Sequence, residues 1–237
     1  MQRYFALKVD DNIYLDEKDV FHCVKVMRMR LKEQLIVLYE GEAYLGEVIS
    51  LSPFIVKNLG KNEENNREMT VKTTLFFALA KGDKIDFVIQ KATELGVSNI
   101  VLVKTERCVV KMDNDDLAKK IENRYYRIAK EASEQSERRV IPAILGVYDI
   151  KNIPTNLLAD INLIAYEGAA FDKINLEEIR DKKSVSILIG PEGGFSKEEV
   201  DSVIKQGFKT ISLGKRILRT ETAAVAALAM INMVIEG

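Results

Sequence analysis

The residues best suited to chemistry lie in two short segments near the carboxyl terminus, Gly190-Pro-Glu-Gly-Gly194 and Leu213-Gly-Lys-Arg-Ile-Leu-Arg-Thr-Glu221. Bare glycines let a ligand lie against the main chain. Glu192, Arg219 and Glu221 add charge of both signs beside that backbone. Neither segment is the G-x-G-x-x-G dinucleotide turn, and no Gly-Lys-Ser/Thr triplet follows to hold a phosphate and magnesium. A neutral or cationic ligand therefore fits better than a polyphosphate. Taken alone, Gly190 to Gly194 reads equally well as a turn without a ligand; the second segment tips the balance toward a site. The plain alternative for Arg219 is an ion pair with Glu221 or the cap of a neighbouring helix.

Both segments sit at the end of a predicted strand. The apolar run Val185 to Ile189 suits a parallel strand covered on both faces, stopped by Gly190-Pro191. Ser196 has the position of an N-cap, with Glu199 three residues on to complete a capping box. In the second segment Thr210 to Leu213 reads as a strand, Thr220 as an N-cap, and Glu221 as a first-turn acid favoured by the helix dipole. Open α/β sheets bind ligands at the carboxyl ends of their strands, where both loops fall.

The polar stretch Gly60 to Thr70 divides the chain, giving residues 1–70 and 71–237. Upstream, Gln34 to Tyr39, Ala43 to Leu51 and Phe54 to Leu59 read as a meander or small barrel preceded by one helix. In that helix Val20, Cys23, Val24 and Met27 have the spacing of a buried face, leaving Lys25, Arg28 and Arg30 outside. Downstream, strands at Val71 to Leu79, Ile100 to Val103, Ile161 to Tyr166, Val185 to Ile189 and Thr210 to Leu213 alternate with helical patterns. Among these are Ile85 to Leu95, stopped by Gly96, and a long helix from about Asp115 to Glu137 with Leu117, Ile121, Ile128 and Ala132 on its apolar face. The predicted class is α/β, a mainly parallel sheet with helices on both faces.

A chain of 237 residues with 47% hydrophobic content can build a core without staples. Cys23 and Cys108 are far apart and have no metal-like spacing, and His22 beside Cys23 supplies too few ligands for a structural metal site. No signal-like apolar core opens the sequence, so the cytoplasm is the expected location. The apolar segment Ala223 to Ile235 is too short for a membrane span of about 20 residues. It reads as a buried helix covered by its own sheet and by a second subunit. A formal net charge of −1 confines any RNA-binding surface to local patches.

The two loops, together with Gln90-Lys-Ala-Thr-Glu-Leu-Gly96, Lys130-Glu-Ala-Ser-Glu-Gln135 followed by Arg138, Arg3-Tyr-Phe and Val26-Met-Arg28, resemble the ribosomal RNA small-subunit methyltransferase E family over the whole chain. Met27 stands where that family more often has leucine. The resemblance implies a SPOUT-type α/β domain with a trefoil knot over 71–237, behind a PUA-like β-barrel over 1–70 that grips RNA. It implies a homodimer joined through the knot domain and the carboxyl-terminal helix, and no metal or membrane. The implied reaction is methylation, by S-adenosylmethionine, of N3 of uridine 1498 in 16S rRNA of the 30S subunit.

Carried onto these residues, the resemblance assigns the donor to Tyr166, Glu167, Gly190, Glu192, Gly194, Leu213, Gly214, Ile217, Leu218 and Thr222, and RNA contacts to Arg3, Arg28, Arg30 and Arg138. Methyl transfer from a sulfonium needs neither a metal nor a covalent nucleophile. What it needs at uracil N3 is a cation for the charge spreading to the carbonyl oxygens, for which Arg219 is the candidate. Glu192 or Glu221 would assist proton removal or orient Arg219. Two other functions compete: a non-catalytic RNA-binding or assembly protein, and a related enzyme acting on tRNA.

Overall fold

The computed structural model describes residues 1–63, 66–108, 114–168 and 177–237, in two compact units. One comprises Met1–Glu68 with Ser133–Val140, the other Met69–Ala132 with Ile141–Gly237. Within the polar segment Gly60 to Thr70, Glu64 and Asn65 lie outside the described residues.

The first unit runs β1 (Arg3–Phe5), β2 (Lys8–Val9), β3 (Asn12–Tyr14), α1 (Glu17–Phe21), β4 (Gln34–Tyr39), β5 (Glu42–Leu51) and β6 (Phe54–Lys61). Its strands form one sheet in the order β1-β4-β5-β6-β3-β2. All pairs are antiparallel except β1 with β4. The alternation of β4 sends Leu35 and Val37 into one core with Tyr4, Cys23 and Val56, and Ile36 and Leu38 into a second with Ala43. The helical face drifts from its predicted register. A wide π turn over His22–Val26 follows α1, and Arg28 is left-handed at φ 52°, so Met29 rather than Met27 reaches the core beside Cys23.

The second unit contains β7 (Lys72–Ala78), α2 (Lys84–Glu94), β8 (Asn99–Lys104), α3 (Asn114–Lys120), α4 (Tyr126–Gln135) and β9 (Ala143–Asp149). It continues with β10 (Ile161–Ala165), α5 (Glu177–Arg180), β11 (Ser184–Ile189), α6 (Lys197–Lys205), β12 (Phe208–Ile211) and α7 (Thr220–Glu236). The sheet order is β12-β10-β11-β7-β8-β9 and every pair is parallel. Successive residues of β7 go to opposite faces, Leu75 and Phe77 into a core with α2 and α7, Phe76 and Ala78 into a core with α6. Burial on both sides is why these strands read as unbroken apolar runs.

The long helix predicted from Asp115 to Glu137 is interrupted by a second π turn at Ile121–Tyr125. Leu117 and Ala132 are buried as predicted, but the extra residue per turn leaves Ile121 and Ile128 half-buried and turns Tyr125 and Ala129 inward instead. Ser196 and Glu199 form the predicted capping box at the start of α6. Ala224, Ala227, Leu228 and Ile231 are buried on one side of α7, while Met230 and Met233 stay exposed.

Candidate functional site

Because all six strands of the second sheet are parallel, their carboxyl ends share one edge, and the loops leaving them meet there. The neighbours β7 and β11 feed helices on opposite faces: α2 packs in the core with α7, α6 in the other. The crevice between these two strands is thus a topological switch point, the place where open α/β sheets bind ligands.

Beside it, over the carboxyl ends of β10, β11 and β12, opens a cavity of about 940 Å³, within the range of about 300–1,000 Å³ usual for small-molecule sites. The backbone of Gly190 to Gly194 lines it, with Tyr166 and Glu167 after β10 and Leu213 to Arg219 after β12. Of the ten residues assigned to the donor, Thr222 alone falls outside the lining; it is exposed on α7. Thr220 does not cap its helix either. Arg219 takes the N-cap position, and the Thr220 hydroxyl donates to the Gly190 carbonyl at 2.5 Å, which ties the two loops together. The Gly194 N–H closes the turn on the Pro191 carbonyl at 2.9 Å. At φ 67°, with no heavy atom within 4 Å of where a Cβ would stand, Gly194 combines a left-handed backbone with open space.

The charges are arranged differently from the sequence reading. Glu192 and Glu221 converge on Lys84 rather than on Arg219: Lys84 Nζ is 3.0 Å from Glu192 Oε1 and 3.5 Å from Glu221 Oε2. Burial opposes the charge on Glu192, but its own amide, the Lys84 ammonium and the Lys81 N–H outweigh that and hold its carboxyl below the ordinary value. The hydrogen bond to Glu192 raises Lys84 in turn. Arg219 lines the cavity, and among the described residues no carboxylate pairs with it. Glu221 is not part of the lining.

Sequence reasoning missed Lys84. Its signal was Lys81-Gly-Asp-Lys84, a glycine turn between an apolar strand and a helix, the same grammar that marked the other two loops. It also missed the loop after β8, where the Arg107 guanidinium donates to the Gly193 carbonyl at 2.9 Å and the Glu106 N–H donates to Glu199 at 2.6 Å.

Two of the four arginines assigned to RNA are engaged within the first unit. Arg138 is 3% exposed and its guanidinium is held by Glu68 at 2.7 Å; Glu68 also accepts from the Arg139 and Val140 amides. Arg3 has a side chain 10% exposed and lies 3.7 Å from Glu137. These two arginines are thus engaged by carboxylates of their own unit. Arg28 and Arg30 are exposed.

Residues 67–232 match the family model described as RNA methyltransferase domain, and residues 15–56 the model described as RNA methyltransferase PUA domain. The chain is 36% identical to ribosomal RNA small subunit methyltransferase E of Bacillus subtilis (strain 168), covering 98% of this chain and 96% of the relative. It is 34% identical to the protein of that name from Mesomycoplasma hyopneumoniae (strain 232), covering 95% and 96%. A Legionella pneumophila structure described as a methyltransferase with bound cofactor SAM superimposes with TM-score 0.88 at 30% identity, covering 98% and 97%. The S-adenosyl methionine-bound ribosomal RNA small subunit methyltransferase E of Neisseria gonorrhoeae gives 0.84 at 28%, covering 99% and 98%.

Proposed function

The chain belongs to the ribosomal RNA small subunit methyltransferase E family, and from that premise we propose that it transfers a methyl group from S-adenosylmethionine to N3 of uridine 1498 of 16S rRNA in the assembled 30S subunit. The observation that carries this reading is the cavity at the carboxyl ends of β10, β11 and β12, made chiefly by two loops that the Thr220–Gly190 hydrogen bond joins. Its residues fit the donor: main chain bared by Gly190, Gly193, Gly194 and Gly214, and apolar surface from Leu213, Ile217 and Leu218. When bound, S-adenosylmethionine supplies a methyl group on positively charged sulfur.

The chain's own residues do the rest. The glycine loop and the Leu213–Leu218 segment hold the donor against main chain, and positioning accounts for most of the catalysis. N3 lies on the Watson–Crick edge, so the uridine enters unpaired. As its proton leaves, negative charge spreads over the carbonyl oxygens, and the unpaired guanidinium of Arg219 stabilises it. Glu192 and Glu221 are engaged by Lys84 rather than Arg219, so the proton passes to solvent and Glu192 holds the glycine loop.

Residues 1–70 grip the RNA, with Arg28 and Arg30 on phosphates, while 71–237 carry the reaction. The exposed Met230 and Met233 of α7 support pairing with a second copy. No helix among the described residues is long and apolar enough to cross a membrane, in keeping with work in the cytoplasm.

Labelled-methyl transfer to small subunits that lack the modification tests the proposal. It should place one methyl group and stop reverse transcription at that nucleotide, since N3-methyluridine cannot pair. Label confined to free tRNA would overturn the substrate. No transfer to any RNA, without donor uptake in calorimetry, would favour the non-catalytic binder.

A further inference from the structure

We infer that Lys84 is a positioning residue of the donor site: its ammonium joins the Gly190–Gly194 loop to the first turn of α7 and so sets the shape of the cavity before the donor arrives. The inference rests on the methyltransferase reading and names a residue that reading does not use.

In the loop, Gly190, Gly193 and Gly194 have no side chain and Pro191 is buried and apolar, so Glu192 carries the loop's one polar side chain. Lys84 Nζ holds Glu192 Oε1 at 3.0 Å, and the Lys81 N–H points at the same oxygen from 3.5 Å. From the other side comes Glu221, whose Oε2 is buried and makes no hydrogen bond among the described residues. The ammonium at 3.5 Å is what offsets its charge. Lys84 itself lines the cavity. Three elements distant in sequence, α2, the glycine loop and α7, thus converge on one cation.

A glycine-rich loop has much conformational freedom to lose when a ligand orders it; a loop already held loses less, and the difference is affinity. Half-exposed ion pairs add little to global stability, so removing Lys84 should leave the fold standing while loosening the loop. That separation makes the role measurable.

The test uses the full-length protein with Lys84→Met, Lys84→Arg, Glu192→Gln and the Lys84→Met/Glu192→Gln double variant. Binding of S-adenosylmethionine is followed by calorimetry, methyl transfer by steady-state kinetics, and the loop by hydrogen exchange. Lys84→Met should weaken donor binding about five- to tenfold and raise the donor KM in parallel, with kcat within about twofold of wild type. Exchange in residues 190–194 should quicken, and Lys84→Arg should restore most of the affinity. The double variant should lose about as much as Lys84→Met alone, because both changes cut one tie.

Donor binding by Lys84→Met within about twofold of wild type, losses that simply add in the double variant, or no rescue by arginine would each overturn the inference. Should Lys84→Met fail to fold, Glu221→Gln probes the same tie from α7. An affinity loss of about threefold supports the inference and none overturns it. Wild-type protein that takes up no donor would instead bring down the methyltransferase reading, and this inference with it.

Discussion

Arg219 and Lys84 line the same cavity, yet only one of them is committed. Lys84 is engaged by two carboxylates, whereas no carboxylate among the described residues pairs with Arg219. A cation left uncompensated in the ground state can respond to charge that develops later. Arg219→Ala should therefore lower kcat by about 100-fold or more while calorimetric donor affinity holds, and equal loss of both would make Arg219 a donor contact. Gly194→Val should have the opposite signature. A β-branched residue at φ 67° is strained and its side chain enters the space a ligand would use, so donor binding should fall by at least about tenfold in calorimetry. The glycines and Arg219 were legible because rare residue types at a strand end announce themselves. Lys84 was not: a lysine in a polar turn looks like any solvated charge until the sheet order sets it beside Glu192. The burial of Arg138 was not legible for the converse reason, since nothing in its spacing tells that Glu68 will pair with it.

Strands were easier to read than helical faces. Apolar runs such as Val185 to Ile189 follow directly from burial on both sides of a parallel sheet; the edge strand β9, half-buried along most of its length, was missed although Ala143-Ile-Leu-Gly-Val-Tyr148 is as apolar a run. The helices slipped where π turns at His22–Val26 and Ile121–Tyr125 add a residue to the repeat, which a period of 3.6 does not anticipate. At this scale Glu68 is the anchor of the Ser133–Val140 segment, accepting from the Arg138 side chain and from two amides. Glu68→Ala removes the acceptor shared by a buried guanidinium and two amides and should cost about 3 kcal/mol in denaturant unfolding. The Lys84 tie also has a pH signature. Glu192 is held below its ordinary 4.5, so its share is present above that value and lost as pH falls through the lower folded one. Lys84 is raised above its ordinary 10.5, so its share is present below that value and lost as pH climbs through the higher one. Donor affinity measured by calorimetry should accordingly show no step from this pair between about pH 6 and 9, and should decline in acid.

For the whole molecule, the apolar stripe on α7 is the feature that a lone chain leaves unexplained. Met233 is 79% exposed and Met230 39%, while the opposite side of the helix is buried. If α7 carries the proposed pairing, Met233→Glu should shift sedimentation from dimer toward monomer, with the fold intact by circular dichroism; an unchanged dimer would move the contact elsewhere, and a monomeric wild type would end the pairing. The knot that the family resemblance implies could not be read from any run of residues, because threading belongs to the path of an entire chain. The sheet order carries a further consequence, for synthesis. Strand β7 ends at residue 78, yet its partner β11 starts only at residue 184. Until that late segment leaves the ribosome, a nascent chain keeps one flank of β7 unpaired, with Leu75, Phe76 and Phe77 beside it, open to strands of any neighbouring polypeptide. Synthesis is thus the stage at which that flank is most open to misassociation.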